Sequence, residues 1–214
     1  MCGRFTLYNK AKVKEKVNFD ISPNYNIAPS NLILILIPKP VLFYWGLSPE
    51  WNDKPINLIN ARIETLREKP AFKKSKPCII VSDGWFEWKK SKTEEKKPFY
   101  IHNNKKIIYF AGIYNNKGCA IITKEAASNL ANIHHRQPLI LGKNARKSWI
   151  EEFIIINQEL TEEFESYRVG SYVNSPKNND SKSPLLPVLD TVLESIFTIA
   201  LFVSNAISEL IEEL

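Results

Sequence analysis

The sequence predicts an α+β fold: a compact β-rich single domain with short helices and, behind it, a C-terminal amphipathic helix. Short apolar runs bounded by Pro, Gly, Asn and Asp recur along much of the chain, and such runs are the mark of buried strands. Helical spacing is confined to a few brief stretches, and no repeat of roughly 20–50 residues is visible. With 214 residues, 44% of them hydrophobic, the chain can bury a sizeable core of its own. The domain is expected over residues 1–187 and the helical extension over residues 188–214.

Residues 32–37 and 41–45, separated by Pro38-Lys39-Pro40, predict a hairpin of buried strands. Residues 57–63 predict another strand. Thr65, followed three residues later by Glu68, has the form of a capping box, so a short helix is expected to open there and stop before Pro70. Residues 78–81 and 85–89 read as strands on either side of the Ser82-Asp83-Gly84 turn, and residues 99–102 and 107–114 as strands flanking Asn103-Asn104. A further strand is expected over 119–123, with helices over 123–133 and 145–153. In the tail, Val192, Ile196, Ile199, Val203, Ile207 and Leu210 recur at helical spacing, and the apolar run 196–203 is too short to span a bilayer. The expected helix docks on the domain or joins two copies of the chain; its acidic polar face disfavours a membrane surface.

Charge is unevenly distributed. Five acids and no bases fall in residues 185–214, which leaves 29 bases against 18 acids before them. A basic body points to a polyanion such as nucleic acid, although 23 of the 29 bases are lysines in a chain rich in Ile and Asn, as compositional bias also produces. The six arginines are more telling, because a planar guanidinium fork suits phosphate. The three cysteines, Cys2, Cys78 and Cys119, have neither disulfide nor zinc spacing, and residues 1–19 lack a signal-peptide core. A reducing, cytoplasmic location is therefore expected, with nucleoid association if the source is bacterial.

Four residues carry candidate chemistry. Removal of Met1 would leave Cys2 with an α-amine of pKa about 8 beside a thiol of about 8.5. With an aldehyde the amine forms an imine, and the sulfur then adds to the imine carbon to close a five-membered thiazolidine. On position alone, a small residue at a frayed terminus explains Cys2 as well. Glu87, in Gly84-Trp85-Phe86-Glu87-Trp88, shares a strand face with Trp85, and apolar rings would raise its pKa towards neutrality; an edge-strand Glu reaching solvent is the competing reading. Asn60 places an amide two residues before Arg62, where it would orient a sugar oxygen or simply end a strand. His134 opens His134-His135-Arg136-Gln137-Pro138 and has the side chain suited to proton transfer at neutral pH, although an exposed turn histidine reads equally well.

The order of the motifs narrows these alternatives. Cys2-Gly3-Arg4-Phe5, Asn24-Tyr25-Asn26-Ile27-Ala28-Pro29, Trp45-Gly46-Leu47, Asn60-Ala61-Arg62 with Glu64, Gly84-Trp85-Phe86-Glu87-Trp88, His134-His135-Arg136-Gln137-Pro138 and Val173-Asn174-Ser175-Pro176 resemble, in that order, the SRAP family, the SOS-response-associated peptidase domain. The resemblance implies a β-rich SRAP-type domain that captures abasic sites in single-stranded DNA, with the opened deoxyribose aldehyde condensed onto Cys2 as a thiazolidine. It implies catalytic roles for Cys2, Asn60, Glu87 and His134, phosphate contacts for Arg4, Arg62 and Arg136, positions along the DNA channel for Trp45, Pro29 and Thr123, and neither cofactor nor metal. Gln137 stands where this family often has Met, and the tail extends past its last motif. Two other functions fit the same terminus: an N-terminal-nucleophile peptidase or amidase, and a non-catalytic single-strand binding module. Lyase-type and autoproteolytic chemistry would fall within the first set of residues.

Overall fold

The computed structural model describes residues 2–89, 95–104, 106–153 and 164–181. Its elements, in chain order, are β1 (Arg4–Leu7), α1 (Lys10–Val17), β2 (Asn24–Ile27), β3 (Leu32–Ile37), β4 (Lys39–Tyr44), β5 (Asn60–Arg62), β6 (Lys76–Ser82) and β7 (Gly84–Lys89). They continue with β8 (Lys97–His102), β9 (Ile108–Asn115), β10 (Gly118–Glu125), α2 (Ser128–Ala131), β11 (Arg136–Pro138), α3 (Lys143–Glu152) and β12 (Glu165–Arg168). The predicted extension over residues 188–214, and any self-association through it, lie outside the described residues.

Two sheets form the body. One runs β12-β8-β7-β1-β2, and the other β11-β10-β9-β6-β3-β4, with β5 parallel to β10. The predicted turns at Ser82-Asp83-Gly84 and Asn103-Asn104 are crossings between sheets: β6 leads into β7 of the other sheet, and β8 into β9 back again. Asp83 stabilises the first crossing, because its carboxylate accepts the backbone N–H groups of Tyr8 and Asn9 while its own N–H donates to Thr6 O.

The inner faces meet in a core that includes Phe5 and Trp85 from one sheet and Ile35, Ile80, Phe110 and Ile121 from the other. The outer face of the larger sheet is covered by α3, whose Trp149 is buried against Ile79, Ala111 and Ile122 and donates its indole N–H to Cys78 O at 2.8 Å. On the outer face of the smaller sheet, Phe86 and Tyr100 are buried with Val169 and Val173. Strands covered on both faces need apolar residues at successive positions, which accounts for unbroken runs such as Ile79-Ile80-Val81.

Two helical expectations are corrected. The capping box at Thr65 does not form: Ile63–Thr65 is a 3-10 turn that begins after Arg62 with no side-chain cap. The helix expected over 123–133 shrinks to α2, because Thr123, Lys124 and Glu125 extend β10 and pair with Pro138, Gln137 and Arg136. The unpredicted α1 buries only Val13 and so leaves almost no apolar period; Asn9 caps it by accepting Lys12 N–H at 3.1 Å.

Gly84 marks a tight approach between β7 and β8. A Cβ there would lie 2.6 Å from Ile101 O and would also strike the Tyr100 hydroxyl. Gly84→Ala is therefore expected to cost about 2 kcal/mol through forced backbone displacement, visible as a lower urea midpoint with an unchanged slope.

Candidate active site

Strand β1 brings Cys2 into the interior, where it is 0% exposed. Strand β5 delivers Asn60 from the other sheet, and its path is set by the Ile59 carbonyl, which accepts both Trp45 Nε1–H (2.9 Å) and Ile121 N–H (3.0 Å). Asn60 Nδ2 then donates to Cys2 O at 2.8 Å, while its Oδ1 is buried with no hydrogen-bond partner among the described residues. The structure thus leaves one polar atom of the amide to meet something else.

Glu87 and His134 complete the cluster. Glu87 lies on β7, two residues beyond the buried Trp85, and only 3% of its side chain is exposed. Its Oε2 lies 4.0 Å from His134 Nδ1, and that nitrogen also takes the Arg136 backbone N–H at 3.0 Å. Burial raises the Glu87 carboxyl to about 7. Burial, with a further contribution from the Glu87 charge, raises the Cys2 thiol well above its ordinary range. At neutral pH the interior therefore holds a protonated thiol beside a carboxyl poised to exchange its proton.

The arginines differ in what they do. Arg4 is half-buried, with Nη1 donating to Asn26 Oδ1 at 2.8 Å and Val173 O at 2.9 Å, and Nη2 donating to Asn174 O at 3.2 Å. Arg136 is buried and forms a bidentate pair with Glu64 at 2.8 and 2.9 Å, and Nη2 also donates to Thr123 O at 2.7 Å. Arg62 is exposed, and Pro29 is half-buried. Trp45 and Thr123, expected along a DNA channel, are both completely buried. Trp45 packs edge-on against Phe5 with ring centroids 5.1 Å apart and holds Ile59, so both residues support the site from within the core rather than face a strand.

Three supporting residues were not singled out from the sequence. Glu64 stood only as a motif member, yet it fixes Arg136. Asn26 receives Arg4 and donates through Nδ2 to the carbonyls of Val173, Ser175 and Asn178. Asp83 ties β1 to the crossing. Gln137 is engaged away from Cys2, Asn60 and Glu87: its Oε1 accepts Ala127 N–H at 2.8 Å. Among the described residues, no group of three or more His, Cys, Asp and Glu could hold a metal, and no helix is long and apolar enough to cross a membrane.

Comparison with known proteins places the chain. The family model described as SOS response associated peptidase (SRAP) matches residues 1–176. The chain belongs to the SRAP family. Among SRAP relatives, the abasic site processing protein YoaM of Bacillus subtilis is 35% identical, over 85% of this chain and 96% of that protein. The abasic site processing protein YedK of Escherichia coli is 33% identical, over 72% of this chain and 81% of that protein. A crystal structure of a protein from Bacteroides thetaiotaomicron superposes with a TM-score of 0.66 at 25% identity, covering 85% of this chain and 92% of that one. The two-sheet body is thus the SRAP fold.

The Glu87 carboxyl sets a pH signature. Its folded value of about 7 lies above the ordinary 4.5, so the folded state holds the proton longer than the unfolded chain does. Its stabilising contribution is complete below pH 4.5 and is lost as pH rises through 7. In paired urea titrations, Glu87→Gln is expected to remove this component of the slope and to gain up to about 3 kcal/mol on the wild type from pH 5 to pH 8.

Proposed function

We propose that this SRAP protein captures abasic sites in single-stranded DNA by condensing the opened deoxyribose aldehyde with Cys2, and so shields the site. The observation that carries this reading is the Asn60 Nδ2 bond to the Cys2 carbonyl at 2.8 Å, which fixes Cys2 in the interior, where the charge of the buried Glu87 acts on its thiol. The names of the relatives agree with a substrate of this class.

The reaction needs Cys2 to be the first residue of the mature chain. Its amine adds to the aldehyde carbon, and the resulting carbinolamine loses water to give an imine. The Cys2 sulfur then adds to the imine carbon while its proton passes to nitrogen, so thiazolidine formation releases one water in all. Glu87, with its carboxyl near neutrality, gives and takes the protons of dehydration, and His134 assists opening of the sugar to its aldehyde. The unpartnered Asn60 Oδ1 accepts a sugar hydroxyl. A thiol held protonated by burial suits a nucleophile that acts second, after the amine has delivered the carbon to it. Exposed Arg62 contacts phosphate; Arg4 and Arg136 reach the strand only beside the protein contacts they already make.

The direct test mixes the protein with single-stranded DNA bearing one abasic site and reads adducts on a denaturing gel and by intact mass. The expected adduct mass is that of the Met1-free chain plus DNA minus one water. Cys2→Ala and a chain with one additional residue before Cys2 are expected to give no stable adduct, and Glu87→Gln to slow its formation about 100-fold. A normal yield from either Cys2 change sinks the mechanism. Amide turnover without DNA would support the peptidase reading instead, and reversible binding alone the binding module.

A further inference from the structure

A cavity lies beside the end of β4 and Gly46. It measures about 570 Å3, and its lining includes Ser30, Tyr44, Asn52, Asp53, Asn57 and Lys117. Size and lining suit a small planar molecule: apolar walls with a few convergent polar groups.

The backbone around it is held in uncommon conformations. Ser30 has φ 71°, Gly46 has φ 145°, and Gly118, beside Lys117, has φ 152°. A non-glycine residue in the left-handed region persists only where its surroundings hold it, and such residues gather at ligand sites. Here Ser30 N–H donates to Trp45 O at 2.8 Å, and Asn57 Nδ2 donates to Ser30 Oγ at 3.0 Å. Gly46 permits this closure, because a Cβ would collide with Asn57 Oδ1.

Tyr44, which lines the cavity, is 44% exposed, and Trp51, in the 48–57 loop that contributes other lining residues, is 67% exposed. Lys117 Nζ fastens that loop by donating to Glu50 O and Asn52 O at 3.1 and 2.9 Å. With Asp53, the cavity presents donor and acceptor groups beside an aromatic face, the combination that meets both the edge and the plane of a nucleobase. It is linked to the Cys2 cluster through Trp45 and the 57–60 segment. Trp45 borders it through its backbone and holds Ile59 through its indole, and Asn57 precedes Asn60 by three residues, at most roughly 10 Å of extended chain.

We propose that this cavity receives one unpaired nucleobase flanking the abasic site, stacked on Tyr44 and read at its edge by Asn57 and Ser30. The proposal rests on the reading of the substrate as an abasic single strand. Its test uses a thymidine strand with one tetrahydrofuran, a non-reactive abasic mimic, and a second tetrahydrofuran walked through the flanking positions. Affinity is read by fluorescence anisotropy. At one flanking position, removal of the base is expected to weaken wild-type binding about tenfold, the effect of one stacked base. Tyr44→Ala and Asn57→Ala, checked for folding by thermal melting, are expected to bind the fully based strand more weakly and to lose little more at that position. Equal small losses at every position, or a loss undiminished in both variants, overturn the proposal. The adduct assay on the same preparations separates the two readings. Adducts without a Tyr44-dependent position sink the base cavity alone; a Tyr44-dependent position without adducts sinks the covalent reading and leaves the cavity; absence of both sinks both.

Discussion

Chain termini fray unless something holds them, and in this molecule the holding contact is the Asn60 amide on the Cys2 carbonyl. It joins β1 of one sheet to β5 of the other, so the position of the second residue depends on both sheets having formed and packed. The amide is itself fixed at one remove. Trp45 and Ile121 share the Ile59 carbonyl, and Trp45 is wedged against Phe5, only three residues from Cys2. The geometry around the cysteine is therefore a property of the core.

Burial dominates the electrostatics of the cluster. The thiol stays protonated and the Glu87 carboxyl ionises only near neutrality, because a charge placed between the sheets loses most of its hydration. The cationic groups nearby are committed by geometry: Arg136 to Glu64 and Thr123, Arg4 to Asn26 and two carbonyls. A neutral interior with a proton-exchanging carboxyl favours chemistry in which water leaves. It offers little to a mechanism that begins with a free thiolate.

Much of this was legible in the sequence. The β3–β4 hairpin, the strands around Ser82-Asp83-Gly84, the strand carrying Asn60 and the helix before Phe153 follow from local pattern, because Pro, Gly and Asn interrupt apolar runs near the points where the chain turns. Strand β4, however, starts at Lys39, takes in Pro40 and is half-buried to exposed, not a buried strand. The meeting of Cys2 with Asn60, and of Glu87 with His134, was legible only through the order of the motifs, since no local rule brings residues so far apart into contact. Sheet membership was not legible either. Apolar runs buried on both faces look alike in either sheet, and the Asp83 crossing resembles a hairpin turn until its carboxylate is seen capping Tyr8 and Asn9. Trp45 and Thr123 show the same limit: a motif records that a residue matters without saying whether it touches a ligand or carries weight beneath the site.

The Arg4 latch joins residues 169 positions apart, and Asn26 fastens the same late segment through three carbonyls. Contacts of such long range form late, because the chain entropy of closing so large a loop must be overcome first. During synthesis, the start of the protein therefore waits for nearly everything that follows before its final neighbours exist. A chain that stopped short of residues 173–178 would lose the backbone carbonyls that Arg4 and Asn26 hold, so the last described segment acts as the clasp on the strand that begins the fold.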